Sequence, residues 1–158
     1  MSASREVIAR PRPAIEEAVE KAAEALEFSG TRALRVLLHA GVSAFWPTII
    51  DAPEKQIRGY ESTIAALRRR WENRGSCFAD PAITARFREM DAEAVAFLNM
   101  CADRSATQWL EPAESIAAYS MSVLQGAVLR WLATNDEETM LVVFDDLVTC
   151  LSGKAIDL

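Results

Sequence analysis

The chain has 158 residues, 51% hydrophobic and 25% charged, with only six glycines and six prolines. That is enough apolar material for one core of ordinary domain size, in a composition that favours helix. A formal charge of −6 makes the chain a poor nucleic-acid binder on its own, because phosphate contact needs clustered lysine and arginine.

Residues 1–12 read as a flexible segment, and MSASREVIARPRP has no apolar signal region. The next 140 positions, 13–152, read as one helical domain, and 153–158 as a tail. A first helix is expected over 13–28. Pro13 suits its opening turn, Ser29-Gly30 its end, and Ile15, Val19, Ala22 and Leu26 form a narrow apolar stripe. A second spans 31–50, with Leu34, Leu38, Gly41, Phe45 and Ile49 in register and a kink or break at Trp46-Pro47. A third runs from Pro53 to Asn73-Arg74-Gly75, its inner stripe being Ile57, Tyr60, Ile64, Leu67 and Trp71. Asp80 as N-cap and Pro81 at the first position open a fourth, reaching about residue 103, with Ile83, Phe87, Met90, Ala94, Phe97 and Cys101 inward. No stretch alternates like a strand, and no run approaches a membrane span.

The fifth helix, from Pro112 to about Thr134, is apolar almost all the way round. One stripe runs through Ile116, Tyr119, Val123 and Ala127, a second through Ala117, Met121, Leu124, Val128 and Trp131. Gly126 sits mid-helix, where it costs roughly 1 kcal/mol relative to alanine, so a close helix crossing is expected there. Asn135 with Glu138 resembles a capping box opening the sixth helix, which ends at Ser152-Gly153. Met140, Phe144, Leu147 and Leu151 line one side of it, Leu141 and Val148 another. A helix with two apolar stripes buries one in its own core and the other against something else. The reading is an all-α fold of about six helices whose last two form a four-helix-bundle homodimer, with Leu124, Val128, Trp131, Phe144, Leu147 and Leu151 at the interface.

The segments YESTIAALRR (60–69), SVLQGAVLRWLATND (122–136) and TMLVVFDDLVTCL (139–151) resemble the C-terminal regulatory domain of TetR-type transcriptional regulators. The resemblance covers most of the chain, through pattern and helix order rather than a catalytic motif. It implies an all-helical, effector-binding domain that dimerises through its last two helices. It also implies a cytoplasmic repressor that senses a small, mostly apolar ligand by population shift. Family members carry an N-terminal helix-turn-helix, and nothing in residues 1–12 resembles one. DNA binding is therefore expected only through a head that these residues do not contain.

The expected ligand site gathers His39, Trp46, Tyr60, Thr63, Ile64, Phe97, Met121 and Gln125, an aromatic and sulfur-rich set with a few polar groups. Each also has a plainer reading as core, and for the lone His39 the reading as a partly buried packing residue comes before that of a ligand contact. The Tyr60 hydroxyl is expected to be free for a ligand. Gln125 stands in an apolar segment, where a buried amide needs partners. Glu89 and Glu93, one turn apart, could chelate a cation but sit among charges on a solvated face. Arg68-Arg69-Arg70 with Arg74 is the basic cluster, spread around a helix. Cys77, Cys101 and Cys150 lack metal-type spacing and read as reduced thiols. No metal or cofactor is expected. Without a nucleophile elbow, P-loop or catalytic triad order, the enzyme reading rests on His39 alone. The other class of function left open is a helical homodimeric interaction module with a solid core and no ligand.

Overall fold

Proline marks four of the six helix starts. In the computed structural model, which describes residues 9–73 and 79–158, proline occupies the first turn of α1 (Pro13–Glu24), α3 (Pro53–Glu72) and α4 (Pro81–Ser105). Pro112 caps α5 (Ala113–Thr134). At these positions the missing N–H is one that a helix leaves unpaired anyway. Asp80 also accepts from the N–H groups of Ala82 and Ile83 at the start of α4, and those bonds hold its carboxyl below the usual range. The capping box expected at Asn135 is displaced by one residue. Asn135 ends α5 in the left-handed conformation (φ 55°), and Asp136 opens α6 (Glu137–Ser152) by accepting from the Thr139 N–H and hydroxyl.

The start of α2 (Thr31–Ile50) is built from far away. Gly30 adopts φ +84°, a region that favours glycine. The Thr31 N–H then donates to the Asp157 carboxylate at 2.6 Å. A side chain on Gly30 would lie 2.8 Å from that carboxylate. Asp157 is held there because Ala155–Asp157, expected as tail, forms strand β2 antiparallel to β1 (Thr107–Trp109). Three-residue strands are too short to show alternation in a sequence. The fold is thus all-α, six helices with one very small sheet.

Helix α2 is the centre of the molecule, packing on α1, α4 and α6. It buries eight residues on a broad face. Trp46 meets Trp131 of α5 edge-on at 5.1 Å and Phe144 of α6 at 5.4 Å, tying three helices together. The break expected at Pro47 does not occur, since α2 stays helical to Ile50. Pro47 is exposed, and the Thr48 hydroxyl donates to the Phe45 carbonyl at 2.6 Å. By length and hydropathy α2 could cross a membrane, which its sequence had not indicated; here its apolar face forms the protein core. The first helix stops at Glu24, four residues short of its expected end. Residues 9–12 are seated on the fold, with Arg12 paired to Glu93 of α4 at 3.2 Å. Residues 1–8 lie outside the described residues, as do Arg74 and Cys77.

Two expected faces are reversed or absent. The stripe of α3 points largely to solvent: Ile64 is 55% and Trp71 78% exposed, and only Ala66 is buried. On α5 and α6, Val128, Trp131, Phe144, Leu147 and Leu151 are buried in the chain's own core, with Leu124 half-buried beside them. They cannot face a partner while this fold is intact. The outward stripe carries Tyr119, Gly126, Leu129, Leu141 and Val142 instead, and a side chain at Gly126 would meet open space.

Candidate ligand cavity

The residues expected around a ligand fall at four places. Tyr60, Thr63, Met121 and Gln125 line one cavity of about 380 Å³ bounded by α2, α3, α4 and α5. Its apolar wall is Phe45 and Ile49 from α2, Phe87 and Met90 from α4, and Met121, Leu124 and Val128 from α5. A smaller chamber of about 90 Å³ shares Arg12, Phe45, Met90, Glu93, Met121 and Leu124 with it, and Phe97 belongs to that chamber. His39 and Trp46 line a separate groove between α2 and α6. Ile64 faces an open groove on the outside of α3, with Tyr60, Leu129 and Leu132. His39, Trp46 and Ile64 therefore leave the expected set. Helical spacing placed them on the right helices but could not say which neighbouring helix each would meet.

Local sequence explains why the space exists. The Phe97 ring packs on Gly41 of α2, where an added side-chain carbon would come within 2.1 Å of it. Glycine at 41 thus lets α4 approach α2 at Phe97, one wall of the small chamber. Helix α3 stands off from the core. Polar contacts hold it: the Tyr60 hydroxyl donates to the Gln125 carbonyl oxygen of α5, the Arg86 guanidinium to the Gly59 carbonyl oxygen at 3.0 Å, and Arg69 pairs with Asp80 at 3.4 Å. The Tyr60 hydroxyl is consequently occupied, not free as expected. Burial raises its pKa, opposed by the Leu129 backbone and the Arg86 charge.

The polar groups left in the cavity are specific. The Gln125 side-chain nitrogen reaches only the Met90 sulfur, at 3.9 Å, and the amide oxygen accepts no hydrogen bond among the described residues. The Thr63 hydroxyl donates to Gly59 and keeps its lone pairs. Lys55, Arg86 and Glu89 line the wall; Glu89 was expected among charges on a solvated face. Helix spacing could have flagged Gln56, one turn before Tyr60 on α3, and Lys55, one turn before Gly59.

The remaining candidates are structural or superficial. His39 is exposed, and its Nδ1 is 3.1 Å from the Ser43 hydroxyl on the same helix. Glu89 and Glu93 are split, since Glu93 is taken by Arg12; no group of three metal-ligating side chains occurs among the described residues. Asp145 pairs with Arg35 at 3.7 Å. Cys101 is a buried free thiol whose pKa burial pushes far up, and Cys150 is an exposed one. The Trp131 indole N–H is buried without an acceptor among the described residues. Compared with family models, curated proteins and solved structures, the chain matches none.

Proposed function

We propose that the chain is the effector-binding and homodimerisation domain of a TetR-like transcriptional regulator that responds to a small, mostly apolar organic ligand. The cavity between α2, α3, α4 and α5 carries this reading. Its volume of about 380 Å³ falls in the range of small-molecule sites, which pair apolar walls with a few placed polar groups. The Gln125 amide oxygen is such a group. Arg12, just before α1, sits on the rim paired to Glu93 of α4. A ligand that displaces Met90 or Glu93 would shift this pair and the seat of α1. The response is a population shift rather than a reaction. In this reading the protein is a cytoplasmic non-enzyme without a cofactor. It reaches DNA only through a helix-turn-helix outside these residues.

The partner face in this proposal is the outward stripe of α5 and α6, not the buried residues first expected there. Leu141 is 60% and Val142 57% exposed, and Gly126 leaves room for a helix to approach closely. Calorimetric titration and thermal shift with hydrophobic acids, alcohols and aromatic metabolites test the ligand. A bound ligand raises stability by about 2.7 kcal/mol at a hundredfold excess over Kd. Light scattering of the unmodified chain and of Leu141→Lys/Val142→Lys tests the dimer: the first should be a dimer, the second a folded monomer. A dimer with no stabilising ligand would favour the interaction-module reading, which the exposed stripes on α3, α5 and α6 support.

A further inference from the structure

Three cations and two carboxylates line the large cavity: Arg12, Lys55 and Arg86 against Glu89 and Glu93. Arg12 and Glu93 are paired at 3.2 Å. Lys55 and Arg86 have no carboxylate within 4 Å among the described residues, and Glu89 has no cation within that distance. Three positive charges minus two negative leave the lining with an excess of one positive charge.

Arg86 is not a loose surface arginine. Its Nη1 donates to the Gly59 carbonyl oxygen at 3.0 Å. A side-chain carbon on Gly59 would lie 2.3 Å from Nη2, so the bare backbone at 59 is the seat of the guanidinium. Lys55 lies one turn earlier on the same helix, and its side chain makes no hydrogen bond to any described residue. One cation is thus positioned and the other is exposed without a partner among the described residues, beside an apolar wall of Phe45, Met90 and Met121. Guanidinium and carboxylate match in shape and charge.

Building on the ligand-binding reading, we infer that the cavity selects an amphipathic monoanion, a carboxylate on an alkyl or aryl tail, with the head between Lys55 and Arg86 and the tail against Phe45, Met90 and Met121. One negative charge neutralises the lining. The tail lies along the apolar wall, and an acid whose tail carries a hydroxyl or N–H can donate to the Gln125 amide oxygen. Aromatic tails gain contact with the two methionine sulfurs.

The test is a matched series at pH 7: decanoate, decanol and decylamine, then 4-phenylbutanoate with its alcohol and amine. Binding is read by calorimetry and thermal shift on the full chain. The acid of at least one tail should bind about tenfold more tightly than its alcohol, as two partly screened ion pairs allow. The amine should bind most weakly, and salt should narrow the gap. Lys55→Gln should erase most of the acid preference, with alcohol affinity falling far less than acid affinity. Gly59→Ala should lower the acid preference while keeping every charge, because it unseats Arg86; circular dichroism and the alcohol affinity report any accompanying shift of α3. Alcohol binding equal to or tighter than the acid, or a preference that survives both variants, overturns the inference and leaves the ligand-binding reading standing. No binding by any of the six compounds defeats both.

Discussion

Helices α2 and α3 are each twenty residues long and adjacent in the chain. They are built to opposite ends. Helix α2 buries eight side chains or glycines against three neighbours, and α3 buries one. Yet α3 has the more regular apolar stripe, Ile57, Tyr60, Ile64, Leu67 and Trp71. A stripe at helical spacing defines a helix and its apolar face; it does not guarantee that anything covers that face. Helix α2 is central because apolar groups surround much of it, as expected for a helix touched on several sides. Helix α3 is held from its polar edge, and the gap beneath it is the cavity.

The contrast can be broken most severely at Trp46. Trp46→Ala removes the ring that touches Trp131 and Phe144 and should cost about 3–5 kcal/mol in denaturant unfolding. Gly41→Ala is the subtler core test. Alanine gains about 1 kcal/mol of helix propensity but drives into Phe97, an overpacking of about 1–3 kcal/mol. The expected net is a loss of about 1 kcal/mol, with weaker ligand stabilisation as the ring moves into the small chamber. On α3, Tyr60→Phe deletes the bond to Gln125 and should cost about 1 kcal/mol. Hydrogen exchange should quicken in α3 and not in α2. Ile64→Ser should change stability by no more than about 0.5 kcal/mol, as surface substitutions do. A loss of about 2 kcal/mol at Ile64, together with a change in oligomeric state, would mean that a partner covers the stripe in solution.

Helix number and most helix starts were legible because the signals are local. Pro13, Pro53, Asp80-Pro81 and Pro112 act within one turn, and all four mark observed starts. The dimer residues were misplaced because a doubly apolar helix does not say which stripe is inner. Trp131 and Phe144 went to the core, where Trp46 meets both, and Val128 is buried in the same cluster. Half of the ligand set came together, Tyr60, Thr63, Met121 and Gln125. Glu89 and Glu93 were read as part of a solvated face because the standing-off of α3, which leaves a cavity between Lys55 on α3 and Arg86, Glu89 and Glu93 on α4, is a tertiary event.

The cap on α2 bears on how the chain folds. Thr31 takes its acceptor from a residue 126 positions later. Contacts across such a span form slowly, because the intervening loop must close before they reward it. The hairpin of α1 and α2 needs only neighbouring residues and can collapse early. Its first turn stays uncapped until β2 docks on β1 and swings Asp157 under Gly30. The beginning of the central helix is therefore capped only while the small sheet is docked, so the last residues of the chain tie down its start.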